Sequence, residues 1–160
     1  MIANDALDLS VFIMDNLGLD TTAKPLELYA RSELLVFQNK YDEAQVLWSE
    51  IEKDFPEHSL ADDILYVKAQ MYTRQRNYEK AAEMYQHILN DYKEEIRADN
   101  ALFALAKLYE TNLNDVEKAK TLYEELFIEF SNSTLAVEAR KRYRILRGDF
   151  EDTTKTDPAQ

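Results

Sequence analysis

Apolar residues recur along most of this chain at spacings of three, four and seven residues. Such spacing places them on one face of an α-helix, whereas a strand would alternate every second residue. The pattern predicts six helices in three pairs, over residues 25–38 and 42–54, 59–75 and 79–91, and 97–111 and 115–129. Two further helices are expected over 134–147 and 6–17, followed by Gly148 and Gly18 as helix stops. We therefore predict an all-α fold of antiparallel helical hairpins, each with a first helix A and a second helix B.

The same residue types return at fixed places in each predicted helix B. The period is 37 residues and then 38, and five columns agree in all three copies, two of which follow helix B (Phe55, Tyr92, Phe130 and Ala61, Ala98, Ala136) while three lie within it. We expect the three columns within helix B to be buried, because a small residue lets two helices approach and an aromatic ring fills the neighbouring gap. These three columns are small (Ala44, Ala81, Ala119), aromatic (Trp48, Tyr85, Tyr123) and aliphatic (Ile51, Ile88, Leu126).

Helices of this length are marginal alone in water, so each must bury its apolar face on a neighbour. Stacked hairpins satisfy that need. We predict one α-solenoid over residues 1–150, with repeats at about 25–59, 60–96 and 97–134. The basic helix 134–147 would close the stack as a polar cap, and the polar residues 151–160 are expected to form a disordered tail.

The helix predicted over residues 6–17 would take the place of a helix B with no helix A before it. This interpretation makes the chain the C-terminal segment of a longer repeat protein. The uncapped end of a stack exposes apolar surface. Self-association through residues 6–17 is therefore a further hypothesis.

The predicted turns between helix A and helix B contain asparagine in every copy. Asn39, Asn77 and Asn114 are expected either to adopt left-handed dihedral angles or to cap the following helix. Asn114 with Glu117 three residues later has the spacing of a capping box.

Charge and composition narrow the classes of function. The formal net charge is −12, a sign that repels phosphate backbones and anionic lipid surfaces, so nucleic acid is not expected as a partner. The absence of cysteine excludes thiolate chemistry and disulfides, and no apolar run approaches the length of a membrane span. Direct membrane insertion is therefore not expected.

The sequence contains no motif that is typical of a catalytic or metal-binding site. The two histidines, His58 and His87, fall in different repeats and are interpreted as surface or boundary residues. No His-x-x-x-His spacing for zinc and no glycine-rich phosphate loop occurs. We therefore predict no catalytic residue, no metal ion and no cofactor, and interpret the chain as a protein that is not an enzyme.

The repeat resembles the tetratricopeptide repeat. The first copy carries the family pattern in Ser32, Tyr41, Ala44, Trp48 and Pro56. Lys93 and Ser131 replace that proline in the later copies, and the third copy needs one extra residue in its A–B turn. The longer period and the phrases at residues 55–63 and 99–106 are most similar to bacterial envelope members of the family, such as outer-membrane assembly lipoproteins. The resemblance favours the periplasm or cell envelope over the cytoplasm.

The resemblance implies a superhelix whose concave face is lined by A helices and binds a peptide or protein. An aromatic residue recurs at one position of helix A in Tyr29, Tyr66 and Phe103, with Glu33, Gln70, Arg74 and Lys107 within one or two turns. This row is the candidate partner-binding groove. The alternative is that these aromatics only pack helix against helix.

The function favoured by these observations is a non-catalytic protein-interaction scaffold. The alternative is an accessory or oligomerisation module of a larger enzyme or envelope complex. A basic patch on the last helix raises a third hypothesis, RNA or acidic-peptide binding, although cations near a helix C-terminus also simply favour the helix dipole. The patch comprises Arg140, Lys141, Arg142, Arg144 and Arg147.

Overall fold

The computed structural model describes residues 23–56 and 58–149. These residues are all-α, with helices and turns and no strand. The helices are α1 (Lys24–Phe37), α2 (Tyr41–Asp54), α3 (Ala61–Arg74), α4 (Tyr78–Asp91), α5 (Ala98–Thr111), α6 (Val116–Glu129) and α7 (Ala136–Arg147). Each begins and ends within two residues of its predicted bounds. The helix predicted over 6–17, with Gly18, and the tail predicted over 151–160 lie outside the described residues.

The chain divides into two compact units, Met1–Met71 and Tyr72–Gln160, with the boundary inside α3. In the first unit α1 packs against α2. In the second unit α4 packs on α5, α5 on α6, and α6 on α7, so consecutive helices form the contacts. The single stack over residues 1–150 stays a prediction.

The three columns within helix B are buried as predicted. The alanines are fully buried, the aromatic rings are at most 4% exposed, and the aliphatic side chains are at most 2% exposed. Burying a large apolar side chain contributes roughly 1.5–3 kcal/mol, so each aromatic or aliphatic member of these columns is a main source of stability in the unit that contains it.

The first two A–B turns share one geometry. Asn39 in the first turn and Arg76 in the second both have φ of 60°. The next amide in each turn donates to a carbonyl five residues back, Lys40 N to Leu35 O at 2.8 Å and Asn77 N to Tyr72 O at 2.9 Å. A left-handed residue followed by a hydrogen bond to a carbonyl five residues back is a common way to satisfy the last carbonyl groups of a helix.

Asparagine fills both predicted roles in these turns. Asn39 and Asn114, with φ of 60° and 55°, are left-handed, whereas Asn77 caps α4 by accepting a hydrogen bond from Lys80 N at 3.4 Å. The predicted capping box at Asn114 is wrong. Because the third turn is one residue longer, the cap of α6 is Asp115, whose carboxylate accepts from Lys118 N at 3.0 Å.

The turns between repeats also share a hydrogen bond. An aromatic residue directly follows each helix B, and its backbone carbonyl accepts a hydrogen bond from the N–H three residues later, at 3.1 Å in the first two turns and 2.9 Å in the third. The acceptors are Phe55, Tyr92 and Phe130. The donors are His58, Glu95 and Ser133. His58 is only 8% exposed, so it is not a surface residue, although it does lie at the boundary between two repeats. The turn folds its side chain inward, and sequence position alone carried no signal of that burial.

The last helix ends as predicted at Gly148, which is left-handed with φ of 88°. Arg140 and Arg144 of α7 occupy the positions that Leu102 and Ala106 hold in α5, one period of 38 residues earlier. The two α5 residues are fully buried, whereas the two arginines are exposed. Among the described helices, none has the length and apolarity needed to cross a membrane.

Candidate interaction surface

The first unit holds four residues of the predicted groove row. Tyr29 is 1% exposed and its hydroxyl donates to Glu33 Oε1 at 3.2 Å. Tyr66 is half-buried, while Glu33 and Gln70 are exposed. The Tyr29 ring therefore belongs to the hydrophobic core, whereas its hydrogen-bond partner Glu33 reaches the surface.

The second unit holds the other three residues of the row. The Phe103 ring is half-buried and meets the Tyr123 ring edge-on, with centroids 5.7 Å apart and planes at 63°. Arg74 and Lys107 are exposed. Phe103 thus packs helix A against helix B of its own hairpin, so packing accounts for this ring as it does for Tyr29.

The first hairpin is fastened by a buried polar chain behind the row. Trp48 Nε1 donates to Ser32 Oγ at 2.7 Å, and that hydroxyl donates to the carbonyl of Tyr29 at 2.7 Å. Trp48 and Ser32 are both fully buried. The small residue of the family pattern therefore also serves as the hydrogen-bond acceptor for the tryptophan.

The basic patch of α7 is largely engaged with neighbouring side chains. Arg140 lies 5.3 Å from the Phe127 ring, while Arg144 and Arg147 both pair with Asp149, the former at 3.7 Å. The pKa of Asp149 is lowered, chiefly by its hydrogen bond with Arg147. Lys141 is exposed. These pairings reduce the positive field that an RNA backbone would meet.

Arg142, the fifth member of the patch, joins three helices. Its guanidinium donates two hydrogen bonds to Glu110 of α5, one of them from Nε at 3.2 Å. The Glu110 side chain is only 8% exposed and also accepts from the Tyr123 hydroxyl of α6 at 2.8 Å. Burial, and then the charge of Glu138, raise the pKa of Tyr123 to about 12. No sequence pattern predicts this cluster, since Glu110 and Arg142 are 32 residues apart.

Lys93, which replaces the proline of the family pattern, has a defined structural role. Its ammonium pairs with Glu129 and lies 3.7 Å from Glu125, both on α6. The hydrogen bond with Glu129 is the main cause of the raised pKa of Lys93. An inter-repeat turn is thereby held to the next helix B by charge rather than by a rigid ring.

A groove of about 650 Å³ opens along α4, and the sequence did not reveal it. We call it the α4–α6 groove. Residues 79–90 of α4 form one wall, and the end of α5, the following turn and the start of α6 complete it. Its lining includes Glu79, Ala82, Glu83, Tyr109, Leu113, Asp115 and Lys118.

Metal-ligating side chains do not cluster in the described part of the chain, where no group of three or more His, Cys, Asp or Glu could hold an ion. His87 Nε2 lies 2.8 Å from Asp91 Oδ2 on the same helix, an ordinary pair one turn apart.

The described residues therefore define an all-α protein of repeated helical hairpins, with a groove along α4 and exposed polar residues on its A helices. The family model described as tetratricopeptide repeat matches residues 63–94 and 100–133. Repeats of this family generally mediate protein–protein interaction and are typically non-catalytic. No curated protein matches the chain at a significant level.

Proposed function

We propose that this chain is a non-catalytic interaction scaffold that binds a peptide or protein through exposed polar residues of its A helices. The observation that carries the proposal is a period. Glu33, Gln70 and Lys107 recur every 37 residues on α1, α3 and α5, and all three are exposed. The tetratricopeptide match over residues 63–94 and 100–133, which include Gln70 and Lys107, supports a general role in protein–protein interaction.

Within the row, the aromatic residues pack inside the hairpins while the polar residues are exposed, which favours polar contacts with a partner over aromatic ones. Tyr29 and Phe103 are tied to the packing of their own hairpins, which holds the helices rigid behind the exposed side chains. A rigid backbone lowers the conformational entropy lost on binding. Arg74, also exposed, adds a donor suited to a carboxylate of the partner.

Photo-crosslinking in the source cell tests this proposal. A photoreactive amino acid replaces Glu33, Gln70 or Lys107, one at a time, and crosslinked proteins are identified by mass spectrometry. Lys53 of α2 and Thr121 of α6 are matched controls, because they are exposed on B helices. We expect one protein to be captured from the A-helix positions and not from the controls. Equal capture from both sets, or none from the A helices, would overturn the assignment.

RNA binding is disfavoured, because four of the five basic residues of α7 contact a carboxylate or an aromatic ring. The role of an accessory or oligomerisation module of a larger complex stays an alternative, and a discrete crosslinked enzyme would favour it. An envelope location remains a proposal that rests on the phrases at residues 55–63 and 99–106.

A further inference from the structure

The α4–α6 groove lies wholly within the second compact unit and involves none of the residues of the A-helix row. We propose that it binds a short extended segment of a partner protein in which lysine or arginine side chains flank an apolar one. The inference rests on the proposed interaction role, but it concerns a second surface.

The floor of the groove is apolar and fixed in place. The Lys118 ammonium lies 4.2 Å from the centroid of the Tyr109 ring and donates a hydrogen bond to the Tyr109 hydroxyl at 2.7 Å, so one side chain contacts both the ring and its hydroxyl. Tyr109 and Leu113 are half-buried and leave part of their apolar surface open. A fixed, partly exposed ring is the kind of anchor that binding surfaces use.

Ala82 gives the groove its depth. The equivalent positions of the other two B helices are Gln45, one period of 37 residues earlier, and Lys120, one period of 38 later. Both carry long side chains, whereas the alanine of α4 adds only a methyl group beside the floor. Among the described B helices, α4 therefore carries the small residue at this position, and the aromatic floor beside it comes from the following hairpin.

The rim is acidic. Glu79, Glu83 and Asp115 are exposed carboxylates, whereas the only lysine of the lining, Lys118, already contacts Tyr109. In a chain of net charge −12 these carboxylates favour a cationic partner. Exposed ion pairs contribute little individually, so the charges would orient the segment while the apolar floor supplies most of the affinity.

The groove wall sets the length of the occupant. Residues 79–90 extend along α4 for roughly 16 Å at the helical rise per residue. An extended chain rises about 3.3 Å per residue, so about five residues fill the groove. A suitable probe for the groove is therefore a capped pentapeptide with a central leucine and two arginines on each side.

Binding of this pentapeptide to the full chain can be followed by amide NMR shifts at low salt. We expect shifts at Ala82, Tyr109 and Leu113. Neutralising two rim charges by Glu79→Gln with Glu83→Gln should weaken binding about fivefold. The matched control, Glu94→Gln with Glu95→Gln, makes the same change of net charge at exposed residues of the neighbouring turn and should leave affinity unchanged.

Three results would overturn the inference. The first is no saturable binding, the second is equal weakening by both double variants, and the third is undiminished binding of a pentapeptide whose central leucine is serine. The second result would mean that binding follows net charge alone. The A-helix crosslinking experiment depends on other residues. Failure of the pentapeptide to bind therefore leaves the proposed function standing, and failure of the crosslinking leaves the groove to be judged by the pentapeptide measurement.

Discussion

Removing the guanidinium of Arg142 tests whether α7 is fastened by charge or only by apolar packing. Arg142→Met keeps an aliphatic side chain over the same surface but removes the cation. Within the cluster of Arg142, Glu110 and Tyr123, the Glu110 carboxylate then keeps only its hydrogen bond from the Tyr123 hydroxyl. The expected effect is a loss of stability, because a carboxylate that is 8% exposed would lose its cation.

The magnitude lies between two limits. Breaking a fully buried ion pair costs about 3–5 kcal/mol, while breaking an exposed one costs less than about 1 kcal/mol. Here the acid is buried but the Arg142 side chain is 35% exposed, so solvent screens part of the interaction. We expect a loss of about 2 kcal/mol in the free energy of unfolding, which lowers the urea midpoint by about 1 M.

Urea unfolding followed by far-ultraviolet circular dichroism measures this loss. Lys141→Met is the matched control, since it makes the same charge change at the exposed neighbouring position and should shift stability by less than about 0.5 kcal/mol. Adding Glu110→Gln to Arg142→Met should restore part of the loss by removing the unpaired charge. If the two methionine variants unfold at the same urea concentration, the idea of a charged fastening is wrong.

Three further predictions concern the other hydrogen-bonded sites. The folded-state pKa of Tyr123 is about 12 and its ordinary value is 10, so the tyrosine ionises first in the unfolded chain. The free energy of unfolding should therefore fall as pH rises from 10 through 12. Tyr123→Phe should lessen that alkaline loss in urea titrations, and an unchanged dependence on pH would contradict the prediction. Trp48→Phe, which removes the bond to Ser32 and leaves a void, should lower unfolding stability by about 2–3 kcal/mol in the same assay, and a loss below about 1 kcal/mol would disagree with the buried contact. Asp115→Ala should cost about 1 kcal/mol and speed hydrogen exchange at the Lys118 amide, whereas unchanged exchange would argue against the cap.

The fold was predictable because its determinants are local and repeated. A spacing of three and four residues fixes which side of a helix is apolar, and the alanine and aromatic columns report where two helices meet. The turns were predictable in kind but not in detail. One inserted residue moved the cap of α6 from Asn114 to Asp115, and Arg76 rather than Asn77 took the left-handed position of its turn.

The candidate sites were less predictable, because they depend on contacts between distant residues. The sequence showed that Tyr29, Tyr66 and Phe103 share a column, but not that Tyr29 is sealed inside its hairpin. It counted Arg142 as one more surface cation, although its partner Glu110 lies on another helix. A usable signal did exist for the groove. Ala82 breaks a column that is otherwise long and polar in Gln45 and Lys120.

The two exposed arginines of α7 bear on how a repeat protein could be lengthened. A hairpin appended after α7 would have to bury Arg140 and Arg144, whose counterparts Leu102 and Ala106 are fully enclosed. Burying two cations that are exposed here would cost their hydration, which is strongly unfavourable. Arg140→Leu together with Arg144→Ala would recreate the α5 surface at these two positions, so a grafted hairpin should dock only on that variant. The exposure of two arginine side chains is thus the feature by which the surface of α7 differs from that of α5 at these positions, and a docking measurement with the double variant tests its weight.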